Sequence, residues 1–252
     1  SEHEGPLRVQ RLFHPDPDGK AHCYLLHPPG GVVLGDELCI DVAVRSGAAL
    51  LTTPSAGRFY TVGTFREYQE QRVRLTVNDA GLLEWLPQES IVFSGADARL
   101  STCVDLARGG RLAFWDILVL GRPACGERFT TGRCLQQLAI RRDGRLLLRE
   151  SLALRAGDRM SSSPVGLRGA STVGLAVFTA TLERDRAEDW LALVNGPGLT
   201  GEFSITQRGE LLLARYLGDQ AQVARAGFSL LWRSVGLTRD GAEPSEPRIW
   251  HT

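Results

Sequence analysis

The chain has 252 residues, 43% of them hydrophobic, which is enough to bury the core of one large β domain or two ordinary domains. Its 29 basic residues balance 29 acidic residues, so no global electric field attracts it to nucleic acid or to an anionic membrane. The sequence contains no run of about 18 apolar residues and no signal-peptide pattern. These features predict a cytoplasmic protein with no nucleic-acid or membrane partner.

Cysteine and lysine content narrows the chemistry further. The five cysteines are odd in number, lie far apart and form no CxxC pair, so they fit neither a disulfide scaffold nor a zinc site. Lys20 is the only lysine in the chain. The sequence therefore predicts neither a GxxxxGK[ST] phosphate loop nor a Schiff-base lysine deep in the fold. If nucleotide hydrolysis is involved, a partner protein performs it.

The first 150 residues are predicted to form strands separated by turns. Apolar and polar side chains alternate over residues 38–45, 73–77 and 100–106, and each run ends in a turn signal. The turn glycines Gly47, Gly81, Gly110 and Gly144 recur at intervals of 34, 29 and 34 residues. This spacing predicts a mainly β fold, an irregular β-helix or solenoid-like stack of strands, with a β-sandwich as the alternative.

Helical periodicity occurs only in the C-terminal half, where it predicts two helices, at residues 183–194 and 219–235. In the second, Asp219 is the expected N-cap and Gly236 the expected C-terminal stop. Residues 238–247 are predicted to be a flexible linker and residues 248–252 a docking tail, within one domain that spans residues 1–252. Three residues are candidate partner contacts, namely Arg225, Arg233 and Trp250.

Several short motifs could indicate a nucleotide site, a metal site or a catalytic serine, but none of them fits its expected context. Residues 196–201 match GxGxxG, but a predicted helix precedes them and a predicted strand follows, the reverse of a dinucleotide site. Cys23 and His27 share a strand face but would lie roughly 13 Å apart, too far to hold one metal ion, and His22 points to the opposite face. No GxSxG motif occurs, and all five histidines lie near the two ends of the chain.

Acidic residues inside apolar stretches are the most informative polar feature. An ionised carboxylate in such a stretch is costly unless it is paired or hydrated. Thr53, Asp116 and Glu150 each lie six residues beyond a repeat glycine, so stacking would align them. The set predicts either salt bridges to arginine or a polar passage that holds a divalent ion loosely. The candidate passage residues are Asp36, Thr53, Glu84, Asp116, Glu127 and Glu150.

The loop that precedes the first alternating run has an unusual composition. Prolines fix φ and remove backbone donors, whereas glycines allow conformations closed to other residues. The loop could therefore turn sharply and bring backbone carbonyls and Asp36 beside the passage, although a purely structural turn is the alternative. The residues concerned are Pro28, Pro29, Gly30, Gly31 and Gly35.

These residues together resemble a known family. The matching strings are HPPGG at 27–31, GDEL at 35–38, LLTTP at 50–54, RFY at 58–60, LEWLPQE at 83–89, WD at 115–116, LGRP at 120–123, GERF at 126–129, RYLG at 215–218 and PRIW at 247–250. With them, the chain is similar from about Gly5 to its last residue to the urease accessory proteins of the D type, called H in some bacteria. It departs from the usual family pattern at Leu34-Gly35 and at Pro54-Ser55.

The resemblance implies a non-enzymatic chaperone with no tightly bound cofactor. Such proteins resemble an irregular β-helix with two helices, bind the F-type accessory protein, and act with the G-type GTPase on apo-urease. Transient nickel would pass through an internal channel to urease, and Asp116 and Glu150 fall in segments that resemble channel-lining positions of the family. The resemblance allows either a monomer or a dimer of this protein within the accessory complex. The alternative functions are a carboxylate-dependent β-helix polysaccharide enzyme and a pure adaptor with structural acids.

Overall fold

A computed structural model of the chain describes residues 2–15, 19–61, 68–196, 200–236, 244 and 246–251. Within these residues the fold is mainly β, and a β-solenoid-like stack of about three turns forms its first part. This confirms the predicted fold class. The strands are β1 (Arg8–Val9), β2 (Ala21–Leu26), β3 (Glu37–Thr52), β4 (Gly57–Phe59), β5 (Gln69–Trp85), β6 (Ser90–Val92), β7 (Asp97–Leu106), β8 (Arg111–Arg122), β9 (Glu127–Arg128), β10 (Arg133–Arg142), β11 (Arg145–Arg155), β12 (Thr172–Phe178), β13 (Glu202–Arg208) and β14 (Leu211–Gly218). The helices are α1 (Arg159–Ser162), α2 (Arg184–Val194) and α3 (Ala221–Val235), with 3-10 turns at Pro123–Cys125 and Arg248–His251.

Parallel ladders build the solenoid. β5 pairs in parallel with β3 along most of its length, and on its other side its first half pairs in parallel with β7, which pairs in parallel with β10. The last four residues of β5 instead pair in parallel with β8, which also pairs with the short strand β6. The chain therefore winds from one sheet face to the next, and each turn stacks on the turn before it.

The repeat glycines lie at one corner of this stack. Gly47 and Gly81 are direct register partners in the β3–β5 ladder. A Cβ on Gly81 would lie 3.0 Å from the carbonyl oxygen of Val44, and one on Gly110 would lie 2.7 Å from that of Val77. Glycine is therefore required here because the backbones of successive turns approach too closely for a side chain. The first two predicted turns are wrong in detail, since β3 and β5 continue through a β-bulge at this corner.

The fourth repeat glycine has a different role. Asp143 and Gly144 both have positive φ, 47° and 78°, and form the two-residue turn of a hairpin. Consequently β11 runs antiparallel to β10 and does not begin another parallel tier. The predicted stacking of Glu150 on the earlier tiers is therefore wrong, because the hairpin closes the stack.

The C-terminal part adds an antiparallel sheet of order β8-β12-β14-β13, with α2 and α3 on one face. Alternating side chains give its strands two different faces. Trp115 and Ile117 face the helices in a core that includes Phe228 and Trp232, whereas Phe114 and Leu118 pack in the cores of the solenoid. Since Asp116 lies between Trp115 and Ile117, it also points toward the solenoid.

Both predicted helices are present, as α2 and α3. Gly236 ends α3 in the left-handed conformation, as predicted. The predicted N-cap is wrong: Gln220 holds that position without a side-chain hydrogen bond. Asp219 instead accepts hydrogen bonds from the backbone and hydroxyl of Ser171.

The C-terminal tail docks on the core, as far as the structure describes it. The Trp250 ring lies 5.4 Å from that of Trp115 and 6.1 Å from that of Trp232, between ring centroids. Most of the predicted linker, residues 238–243 and 245, lies outside the described residues, and so does Thr252. None of the helices in the described part of the chain is long and apolar enough to cross a bilayer.

Candidate functional site

The main candidate site is a pocket of about 420 Å³ between the β10–β11 hairpin and the β8-β12-β14-β13 sheet. We call it the Asp116 pocket. Its floor is largely apolar, with Leu175 and Leu217 from the sheet and Leu138 and Leu152 from the hairpin. The hairpin strand β10 still pairs with β7 of the stack, and the pocket lies where this hairpin faces the sheet. Its lining brings together two of the predicted acids, Asp116 and Glu150.

Two polar bridges link the hairpin to the sheet across this pocket. Gln136 Nε2 donates to Asp116 Oδ2 at 2.8 Å, and Arg215 Nη2 donates to Glu150 Oε1 at 2.6 Å. Asp116 pairs with Leu175 in the sheet, and Leu175 pairs with Arg215, so all three side chains share one face. Two strand spacings separate Asp116 from Arg215, roughly 10 Å between their Cα atoms. The two bridges therefore stand side by side.

Asp116 is the most perturbed carboxyl group of the site. Burial raises the pKa of Asp116 from its ordinary value of 3.8 to about 6, and the hydrogen bond from Gln136 opposes this shift. Within the described residues it makes no ion pair with an arginine or lysine. An acid in this position is held by one neutral donor only, so it is available to a cation that enters the pocket.

Glu150 is paired but more open. Its side chain is 36% exposed, and that of its partner Arg215 is 41% exposed. Because solvent screens such a pair, its contribution to stability is small. Toward one side of the pocket, Arg168 forms a two-point ion pair with Glu202, and both of these residues also line the pocket. The acids of the pocket therefore differ, since among the described lining residues Glu150 and Glu202 each pair with an arginine and Asp116 does not.

Glu84 lies elsewhere, in the sealed interior. Its Oε2 lies 2.9 Å from Lys20 Nζ, and the two side chains are 0% and 2% exposed. Its Oε1 accepts a hydrogen bond of 2.9 Å from Trp232 Nε1. The Lys20–Glu84 pair thus joins the start of β2, the end of β5 and helix α3 at a buried position. The expectation that no lysine lies deep in the fold is therefore wrong, since the Lys20 side chain is only 2% exposed. Glu84 does not line the Asp116 pocket.

Glu127 lies near the surface beside β8. It accepts hydrogen bonds from Arg122 and from the backbone of Ser94, and these lower the pKa of the Glu127 carboxyl. The Arg122 guanidinium also lies 4.7 Å from the centre of the Phe93 ring. Glu127 lines a second pocket, of about 600 Å³, that shares Leu167 with the Asp116 pocket.

The proline and glycine loop places Asp36 in a turn. Gly30 N donates to the His27 carbonyl, so Pro28 and Pro29 are the central residues of a tight turn. Asp36 Oδ2 accepts from the backbone of Val33 at 3.0 Å, while Asp36 N donates to the Val33 carbonyl at 3.0 Å.

The glycines of this loop have separate local reasons. Gly30 and Gly35 have positive φ, 77° and 98°. A Cβ on Gly31 would lie 2.0 Å from the Tyr60 ring, so no larger residue fits without movement of that ring. None of these residues lines the Asp116 pocket, and Gly30 and Gly31 line a separate cavity of about 80 Å³ with Thr53.

The other predicted residues all have partners within the chain. Thr53 Oγ1 donates to the Ser55 carbonyl and accepts from Gln88 N, each at 3.0 Å. Arg225 pairs with Glu89 at 3.2 Å, and Arg233 with Glu246 at 2.5 Å. Trp250 Nε1 donates to Thr52 Oγ1 at 2.9 Å. The role of Thr53 in the passage stays a prediction, and so do the roles of Arg225, Arg233 and Trp250 in binding partners.

Sequence reasoning missed the groups that complete the site. Arg215 and Gln136 were not predicted, because arginines and glutamines are expected on strand surfaces. The alternation of side chains along β14 and β10 shows which face of the sheet each residue lies on, but it does not identify its partner across the pocket. For Lys20 a signal was available, since a lone lysine beside an apolar strand could have been matched with a buried acid. No group of three or more His, Cys, Asp or Glu side chains arranged to hold a metal occurs within the described residues.

Comparison with known proteins gives a consistent result. The family model described as "UreD urease accessory protein" matches residues 1–251. A urease accessory protein UreD of Saccharophagus degradans is 44% identical over 255 residues, covering 100% of this chain and 86% of that protein. The chain is also 40% identical to a UreD of Nitrosococcus oceani, over 99% of its own length and 83% of the relative. A UreD of an Azoarcus strain is 41% identical over 99% of the chain and 87% of that protein.

Proposed function

Since this chain belongs to the UreD family of urease accessory proteins, we propose that it passes nickel to apo-urease through the Asp116 pocket. The observation that carries this proposal is the convergence of Asp116 and Glu150, which come from different strands, on one water-accessible pocket. In this proposal nickel is cargo, and the protein is a scaffold that holds the ion only in passing.

The chemistry of the pocket suits transit better than storage. Carboxylate and amide oxygens bind divalent ions, but the described residues that line the pocket include no histidine or cysteine that would hold nickel tightly. Asp116 can bind a cation because its pKa of about 6 leaves it mostly ionised at neutral pH. Glu150 becomes a second ligand only when it leaves Arg215. A site of two oxygen groups in an open pocket binds weakly and releases readily.

The proposed partners are the F-type accessory protein, the G-type GTPase and apo-urease. The chain's only lysine is buried against Glu84, which agrees with nucleotide hydrolysis by another protein. We expect the isolated chain to be poorly soluble unless the F-type protein is co-expressed, because a scaffold exposes apolar contact surface when alone. Pull-down of the full chain with the three partners tests this assembly, and binding to none of them would contradict it.

Nickel transfer is tested separately from assembly. Asp116→Asn and Glu150→Gln keep the size of each side chain and remove its charge. We expect both variants to recover the partners normally in the pull-down, yet to yield urease with reduced nickel content and activity. Arg72→Met is the matched control, because Arg72 is a half-exposed ion-paired arginine outside the pocket. Normal nickel content in both acid variants would instead favour a pure adaptor with structural acids.

Asp36 is tested in the same way, with lower priority than the two pocket acids. Asp36→Asn keeps an oxygen that can accept from Val33, so it separates the charge of Asp36 from its part in the turn. Slowed urease activation in that variant would extend the nickel path to the proline and glycine loop. No feature of the described residues favours the polysaccharide enzyme.

A further inference from the structure

Arg215 is a partly exposed cationic side chain that lines the same pocket as both acids. Its guanidinium donates to Glu150 at 2.6 Å, and its strand position lies two strands from Asp116 on the same sheet face. The charge of an arginine does not depend on pH in the physiological range. A divalent ion that approaches Glu150 must therefore meet this fixed positive charge.

We propose that Arg215 acts as a built-in competitor that keeps the pocket's affinity for nickel low and drives release of the ion. This inference rests on the proposed function, since it concerns the same pocket. When the ion binds Glu150, Arg215 swings away. When Arg215 returns to Glu150, it displaces the ion. Arg215 is thus a positioning residue that sets the residence time of the cargo.

The exposure of the pair supports such an exchange. With side chains 36% and 41% exposed, the Glu150–Arg215 pair is screened by water and easy to open. The contrast with Glu84 shows what a permanent partner looks like here, since Lys20 and Glu84 are almost fully buried. An ion pair that opens at small cost can compete with a weakly bound cation, whereas a sealed one cannot.

The direct test measures binding of Ni²⁺ alone to the full chain by equilibrium dialysis. Arg215→Met keeps the apolar stem and removes the charge. Because it frees Glu150 and removes a repelling charge, we expect Ni²⁺ binding about fivefold tighter or more. Arg215→Lys keeps a charge and is expected to stay within about twofold of the original affinity. Arg72→Met, whose arginine is 40% exposed and paired with Glu70, is the matched control and is also expected to stay within about twofold.

Three results would overturn the proposal. They are unchanged or weaker Ni²⁺ binding by Arg215→Met, an equal gain by Arg72→Met, and retention of the gain when Glu150→Gln is added to Arg215→Met. Thermal unfolding of each variant, measured in parallel, shows whether the fold is intact. If Arg215→Met fails to fold, the comparison moves to Arg215→Gln, for which the same gain is expected and its absence counts against the proposal.

A second readout is urease activation in cells. We expect Arg215→Met to lower the rate of nickel transfer although it binds Ni²⁺ more tightly, because the ion is released more slowly. If Asp116→Asn and Glu150→Gln reduce urease nickel while Arg215→Met has no effect on binding or transfer, only the role of Arg215 is wrong. If the two acid variants deliver normal nickel, the proposed function itself is wrong.

Discussion

The Lys20–Glu84 pair and the Asp116 pocket place carboxylates in two opposite environments of one fold. Glu84 is sealed, with a lysine and a tryptophan as fixed partners. Asp116 and Glu150 face a pocket, where one has a neutral partner and the other has a half-exposed arginine. Asp116 of the WD motif and Glu84 of the LEWLP motif thus lie in similar apolar stretches of the sequence, but only Asp116 can be reached from a pocket. Access to solvent, more than residue type, separates a structural acid from one that can exchange partners.

The strongest way to test this comparison is to break the sealed pair. Lys20→Met leaves the Glu84 charge buried without its counter-charge, so we expect a loss of about 3 to 5 kcal/mol in the free energy of unfolding. Urea unfolding of the full chain measures this loss. Lys20→Met combined with Glu84→Gln removes both charges and should recover most of the stability. If the single change lowers the free energy of unfolding by less than about 1 kcal/mol, the pair is not shielded from water.

The tail that covers the sealed region gives the next largest effect. Trp250 packs on Trp115 and Trp232, and Trp232 holds Glu84. Trp250→Ala removes a partly buried ring, for which we expect a loss of roughly 1 to 3 kcal/mol. Arg248→Ala is the control, because Arg248 is exposed and belongs to the same tail. Equal unfolding free energies for the two variants would show that the ring does not secure the tail.

Removing the charge of Asp116 in the Asp116 pocket is expected to raise the free energy of unfolding, the opposite of the changes at Lys20 and Trp250. The pKa of Asp116 rises from 3.8 to about 6 on folding, so its ionised form costs stability above pH 6, by up to about 3 kcal/mol. This cost fades as the pH falls from 6 toward 3.8. Asp116→Asn removes the ionised form, and we expect it to stabilise the chain by roughly 1 to 3 kcal/mol at pH 7.5 and not below pH 3.8. Unfolding measured across this pH range gives the profile, and a pH-independent difference would rule out titration of Asp116 as the cause.

A stabilising change that also impairs nickel transfer would identify Asp116 as a functional acid. A residue selected for packing alone is not expected to carry such a cost at neutral pH. The same pair of measurements on Glu84→Gln should show lower stability. Neutralising Asp116 would then raise the stability of the fold, whereas neutralising Glu84 would lower it.

The sequence predicted the stack but not its closure. The glycine interval of 34 residues matches the observed partnership of Gly47 with Gly81. The turn signal at Asp143-Gly144 resembles the corner at Gly109-Gly110, yet one forms a hairpin and the other continues the stack. Local composition specifies that the chain turns. Which strand it meets afterwards depends on contacts distant in sequence, and the pairing of Glu84 with Lys20 depends on such contacts too.

Glu127 provides the smallest expected effect and tests where the comparison ends. It is open like Glu150, but its arginine is Arg122, only five residues away in the chain. Glu127→Gln keeps an oxygen for the backbone of Ser94 and loses only a screened ion pair. We expect the melting temperature to change by no more than about 2 °C. We also expect a smaller decrease in urease nickel content than Asp116→Asn causes. A decrease as large as that of Asp116→Asn would show that the second pocket belongs to the nickel path. Access from a pocket would then mark the functional acids, whether or not an arginine pairs with them.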